Sequence, residues 1–138
     1  MSQRRVKSAW RGGLCCDVEM GEFNFTVDEP ESVGGTNLGP QPTDVFLASI
    51  ASCFTLALSY SAQKRGIVLR NLQVDVTGTY DGPRFSSVLI EGKLGCDEAE
   101  LPSLVRDAER VCYVTNTLKS GIDIKVDVST TLSEFDKQ

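Results

Sequence analysis

No histidine occurs in the 138-residue sequence. Its absence removes imidazole metal ligands, Ser-His and Cys-His nucleophile pairs, and histidine acid–base chemistry. The five cysteines, Cys15, Cys16, Cys53, Cys96 and Cys112, include no CxxC pair. A metal site would then need an all-cysteine or carboxylate set, so none is expected. No GxGxxG stretch follows a βαβ pattern and there is no Walker A sequence, so no cofactor is expected. Basic residues are unevenly scarce: residues 12–63 hold no lysine or arginine against seven acids, Asp17, Glu19, Glu22, Asp28, Glu29, Glu31 and Asp44. With a net charge of −5, neither a nucleic acid nor an anionic membrane surface is an expected partner. The opening MSQRRVKSAW has no apolar run behind its basic residues. A cytoplasmic protein with mostly reduced thiols is expected.

At this length one domain spanning 1–138 is expected, large enough for one core. Residues 4–10 are a candidate strand before the Gly12-Gly13 turn. Residues 14–20 alternate, with Leu14, Cys16, Val18 and Met20 on one face and Cys15, Asp17 and Glu19 on the other. That pattern makes Cys16 a core residue and Cys15 exposed. Residues 23–28 repeat the alternation, giving an antiparallel meander with one wet face. A loop rich in glycine and proline follows, from Pro30 to Pro42, and loops of that length are often functional. Strands are expected over 70–80 and 84–94, then a second helix from Pro102 to Gly121. Its stripe is Leu104, Val105, Ala108, Val111, Cys112, Thr115 and Leu118. Ile122, Ile124, Val126 and Val128 alternate in a last strand. The order βββ-α-ββ-α-β is an α+β fold.

The chain is organised around residues 42–65, read as a helix. Pro42 suits its first turn, Asp44 its positive end, and Lys64-Arg65-Gly66 its end. From Val45 to Gln63 there is no charge. That length approaches a membrane span, but Ser49, Ser52, Thr55, Ser59, Tyr60 and Ser61 interrupt it and the flanking strands suit water, so no membrane is expected. A helix apolar all round is otherwise a core helix. At 1.5 Å per residue it is roughly 35 Å long, more than one small chain covers, so a homodimer is expected with this helix near the interface. Cys53 lies near its middle and Cys112 on the second helix's buried stripe. Spacing alone leaves two possibilities: inert core cysteines, or a pair in which one thiol is oxidised to a sulfenic acid and the other closes a disulfide.

Three runs of residues carry a family likeness: Val33-Gly34-Gly35, then Gly39-Pro40-Gln41-Pro42-Thr43-Asp44, then Leu47-Ala48-Ser49-Ile50-Ala51-Ser52-Cys53. With Ala108-Glu109-Arg110-Val111-Cys112-Tyr113-Val114, they resemble the signature of the OsmC/Ohr family over essentially the whole chain. The resemblance implies an intertwined homodimer whose β-sheets wrap two long central helices. It implies thiol-dependent reduction of organic hydroperoxides or hydrogen peroxide in oxidative-stress defence, with Cys53 peroxidatic, Cys112 resolving and a dithiol as reductant. It also implies an arginine from the N-terminal sheet and a carboxylate at the start of the central helix beside the attacking thiolate.

A thiol in apolar surroundings ionises poorly at neutral pH, so a cation is needed close by. Arg11 is the candidate in the right neighbourhood, with Arg4 and Arg5 behind it, and Asp44 is the carboxylate that would hold Arg11. Thr43 stands where the hydroperoxidase branch has glutamate, and Tyr113 where the family often has proline. The second difference predicts a smoother second helix. Both place the chain nearer the general OsmC-like branch than the typical organic hydroperoxide resistance proteins. The poor basic surroundings of Cys53 keep a second reading open, a non-catalytic OsmC-like dimer that binds a small molecule or serves a structural role.

Overall fold

The computed structural model describes residues 2–132. Strands β1 (Lys7–Gly12), β2 (Cys15–Met20) and β3 (Phe23–Val27) form an antiparallel meander in that order. Helix α1 (Pro42–Lys64) follows the long loop. Strands β4 (Leu72–Tyr80) and β5 (Phe85–Leu94) make a second, two-stranded antiparallel sheet. Helices α2 (Leu101–Val111) and α3 (Tyr113–Ser120) complete the α+β architecture.

Helix α1 begins and ends where its sequence dictates. Pro42 lacks an N–H that the first turn leaves unpaired anyway, and Asp44 and Lys64 complement the two ends. Its packed stripe is Ile50, Phe54, Ala57, Leu58, Ser61 and Ala62, the spacing of one helical face. That face meets Ala108 and Cys112 with Leu72, Val74, Ile90 and Leu94 around them, forming the core. The Tyr80 hydroxyl donates to Thr43 Oγ1 (2.9 Å), tying the end of β4 to the start of α1. Arg65, just past the other end, reaches Asp107 on α2 at 2.6 Å. By length and composition alone α1 could cross a membrane; its packed stripe is that of a core helix. The opposite side is uncovered, with Leu56 68% and Tyr60 50% exposed.

The loop before α1 is held by one buried carboxylate. Asp28 accepts from the Glu29 amide (2.7 Å), the Thr36 amide (3.2 Å), the Leu38 amide (3.1 Å) and the Thr36 hydroxyl. The glycines of the two loop motifs have a steric reason. A side chain at Gly35 would strike the Glu29 carbonyl, and one at Gly39 the Thr26 carbonyl. The loop therefore lies directly on β3 and its exit, and only glycine permits the approach.

Three expectations are corrected. First, Ile122, Ile124, Val126 and Val128 form no strand among the described residues and are 66–85% exposed. Alternation supplies a face but no neighbour, and a strand needs one to pair with. Second, the second helix is not smooth. It breaks at Cys112, whose φ of −77° and ψ of 104° are extended. Third, Cys15 is buried and Cys16 only half-buried, the reverse of the expected faces. The nominal inner face of the meander is uncovered, with Leu14 54% and Met20 39% exposed. Cys15 instead lies against Asp28, at the root of the folded loop.

Asp28 also sets an acid response. The Thr36 hydroxyl holds its carboxyl far below the ordinary range, with the Leu38, Glu29 and Thr36 amides adding to that and burial opposing it. A lowered folded-state value contributes stability above about pH 4, where the unfolded carboxylate is ionised, and loses it as pH falls. Asp28→Asn should lower the melting temperature at pH 7 by roughly 5 °C and flatten its decline below pH 4. Parallel acid profiles for the two proteins would contradict this role. Gly39→Ala should cost a comparable melting shift, because the obstacle is main chain; an unchanged melting temperature would show that the loop does not lie against Thr26.

Candidate functional site

The break between α2 and α3 is local in origin. Val111, Val114, Thr115 and Thr117 are β-branched and crowd a helix. In a continuous helix the Val114 amide would bond the Arg110 carbonyl. Here the Asn116 side chain takes that carbonyl (2.9 Å). The Cys112 amide still bonds Ala108 O (3.0 Å), closing α2, and the Asn116 amide bonds Cys112 O (3.0 Å), opening α3. Cys112 is thus the N-cap of α3. The amides of Tyr113, Val114 and Thr115 are first-turn donors without helical acceptors.

Those donors converge on two thiols. Cys53, half-buried on α1, is packed against the cluster that contains Cys112, and each thiol shifts the ionisation of the other. Cys112 is fully buried. The Val114 and Thr115 amides face its sulfur, and those of Tyr113 and Val114 bear on Cys53. Thr115, a buried polar residue, donates its hydroxyl to Cys112 O (3.3 Å) and also favours the charged form of the Cys112 thiol.

The thiols are tuned in opposite directions. Burial pushes Cys53 up, the Val114 amide opposes this, and hydrogen bonding to Cys112 adds to the rise. Burial also opposes the charged form of Cys112, but the Thr115 hydroxyl and amide outweigh it, and hydrogen bonding from Cys53 draws the thiol further below its ordinary value.

Cys53 opens onto a cavity of about 650 Å³ lined by Leu56, Ala57, Tyr60, Arg110, Val111, Tyr113 and Asn116. Its walls are largely apolar, with one guanidinium. Asp107 braces that group from one turn earlier, at 2.8 Å from Arg110 Nη2. Since Asp107 also binds Arg65, it links the cavity rim to the end of α1.

Cys53 and Cys112 are thus brought together, while Arg11 and Asp44 are not joined to each other within the chain. Arg11 sits at a β-bulge, where the β1–β2 register shifts between Trp10 and Gly12. Bulges re-aim side chains, and this one directs Arg11 to Asp17 (3.4 Å) and Thr26 (3.3 Å). Asp44 is exposed in the first turn of α1. The helix-break amides, Thr115 and Arg110 escaped the sequence reading. The run from Val111 to Thr117, β-branched with an asparagine, was the available signal.

Residues 35–127 match the model of the OsmC-like protein family. An uncharacterized protein of Haloferax volcanii is 30% identical over 135 residues, 93% of this chain and 96% of that protein. The organic hydroperoxide resistance protein of Xanthomonas axonopodis pv. citri is 30% identical over 101 residues, 69% of this chain and 71% of its own length. Among solved structures, an OsmC-like protein from Mycoplasma pneumoniae superposes with a TM-score of 0.72 at 17% identity, over 86% of this chain and 88% of that one; at that identity the likeness speaks for the fold. With the Gly39-to-Asp44 loop motif and both cysteine-helix motifs inside the matched region, the chain belongs to the OsmC-like protein family.

Proposed function

We propose that this protein reduces organic hydroperoxides, or hydrogen peroxide, through Cys53 and Cys112, in defence against oxidative stress. Cys53 thiolate attacks the peroxide oxygen and becomes a sulfenic acid, releasing the alcohol or water. Cys112 displaces hydroxide from that sulfenic acid to form a disulfide. A dithiol reductant then supplies two electrons and two protons and restores both thiols. The observation that carries this reading is the contact between the two thiols with Cys53 opening onto a mostly apolar cavity. The relative named for organic hydroperoxide resistance lends it weight. The setting proposed is the cytoplasm, where such thiols stay reduced.

The proposal includes a homodimer, which would cover the outer stripe of α1. Arg11 is proposed to meet the Cys53 thiolate from a second copy, with Asp44 steadying it. The raised Cys53 thiol favours the competing reading, a binding dimer without turnover. Steady-state assay separates the two. Wild type with dithiothreitol and cumene hydroperoxide should consume peroxide at least about a hundredfold faster than Cys53→Ser, since general acid–base and covalent assistance are lost together. Equal background rates in both proteins would exclude the peroxidase reading.

Light scattering tests the assembly. Wild type should run at twice the chain mass. Leu56→Asp, a change at an exposed position of the isolated chain, should shift it toward the chain mass without loss of helical signal. A wild type already at the chain mass would remove the dimer, and with it the route by which Arg11 reaches Cys53.

A further inference from the structure

The cavity beside Cys53 carries a charge that its surroundings lack. Residues 12–63, which include this thiol, hold no lysine or arginine, and the whole chain has a net charge of −5. The cavity of about 650 Å³ is nevertheless lined by one charged side chain, and it is basic, Arg110. Leu56, Ala57 and Val111 supply apolar walls opposite it. A basic residue in the last turn of α2 complements that helix end wherever its side chain points. Arg110 is more particular, because it is held at the cavity from both ends. Its carbonyl accepts from the Asn116 side chain at 2.9 Å. Its guanidinium donates to Asp107 at 2.8 Å.

Asp107 does not cancel the charge. The same carboxylate accepts from Arg65 at 2.6 Å, and Arg65, Arg110 and Arg106 together keep it ionised. Two guanidiniums bonded to one carboxylate leave a positive charge over. Lys64, in the last turn of α1, places a further cation near the rim, its Nζ 5.8 Å from the centroid of the Tyr60 ring that lines the cavity. The acids of this region lie elsewhere. Glu109 lines the separate cavity beside Thr115, and Glu100 lines another beside Arg65.

Resting on the hydroperoxide reading above, we infer that Arg110 determines specificity at this cavity: it selects hydroperoxides that carry a carboxylate on an apolar body over neutral ones of like size. The apolar body lies against Leu56, Ala57 and Val111, the peroxide end meets Cys53, and the carboxylate meets the Arg110 fork, whose planar donors match it. The arginine binds the far end of the substrate and leaves the sulfur chemistry as written above. Asp107 is a positioning residue, since it limits the rotamers that a long side chain would otherwise sample. The Arg110 side chain is 74% exposed, so its pairing with a substrate carboxylate is screened by solvent. A preference of about fivefold at low salt is therefore expected, and it should shrink as salt is added.

The test uses two hydroperoxides matched in apolar body and differing in charge: para-carboxycumene hydroperoxide and its methyl ester. With dithiothreitol as reductant, kcat/KM is measured for both at pH 7 on wild type, Arg110→Gln, Arg110→Lys and Asp107→Asn. Wild type should favour the carboxylate about fivefold over the ester. That ratio should fall to about one in Arg110→Gln. It should be partly kept in Arg110→Lys, which retains the charge but not the fork, and partly lost in Asp107→Asn. Each ratio compares two substrates on one protein, so a general loss of folded or active protein cancels from it. A wild-type ratio near one, or a ratio that survives Arg110→Gln, would overturn the inference and leave the peroxidase reading standing. Wild type that consumes both substrates no faster than Cys53→Ser would instead remove the hydroperoxide reading, and the charge preference is then read from binding. Para-isopropylbenzoate should slow iodoacetamide alkylation of Cys53 more than para-isopropylbenzamide does in wild type, and no more than it in Arg110→Gln. Equal protection by the two in wild type would overturn the inference as well.

Discussion

A charge can sit away from water only where fixed dipoles replace the solvent. In this chain that replacement is the first turn of α3, and much of the site's architecture follows from it. The amides exist as donors because the helix breaks at Cys112, and the break is sustained because Asn116 satisfies the Arg110 carbonyl that it exposes. Had α2 run on, the Val114 amide would have been spent inside the helix and the thiols would have faced a hydrocarbon wall. An anion held this way depends less on a neighbouring cation. A region without lysine or arginine from residue 12 to residue 63 is therefore compatible with a charged thiol.

Placing that turn against Cys53 is the work of α1. Its stripe from Ile50 to Ala62 packs on β4–β5 and on Ala108 and Cys112 together. The two ends of α1 are fixed by separate contacts, Thr43 with Tyr80 and Arg65 with Asp107. Asp107 divides its oxygens between Arg65 and Arg110. The clamp on α1 and the brace on the cavity's guanidinium are thus one residue. As an exposed pair Arg65–Asp107 contributes little energy; its value is geometric, holding α2 in register so that Cys112 meets Cys53.

What the sequence made legible followed from periodicity and from punctuation. The meander, the hairpin and α1 show in alternation, in glycine turns and in an uncharged run capped by Pro42 and Lys64. Cys112 was visible on a buried stripe and Cys53 near the middle of an uncharged helix. The break at Cys112 was not, because a helical stripe of Leu104, Ala108, Cys112 and Thr115 survives it: all four are buried. Periodicity reports which face is inside and is silent about a rotation of one peptide unit. The faces of Cys15 and Cys16 were misread for a related reason. Alternation assumes that the core lies on the apolar side, whereas Cys15 is buried beneath the loop that Asp28 pins. The strand expected from Ile122 to Val128 failed because pairing is not local information.

That last failure has the same cause as two other features of the chain. The outer stripe of α1, the open face of the meander and the alternating segment after Gly121 all leave large apolar side chains in water, among them Leu56, Phe23 at 69% and Val128 at 85%. Single exposed hydrophobes are ordinary, whereas contiguous apolar surface calls for a partner. Three separate partners would be needed if each surface served its own interaction. A second copy of the chain, as proposed, would offer a sheet edge to the alternating segment, a helix stripe to α1 and an apolar layer to the meander at once. It would also alter the chemistry, since the bulge that carries Arg11 belongs to the meander and moves with it. The Arg11 guanidinium proposed for Cys53 and the cover missing from α1 would then arrive by one association.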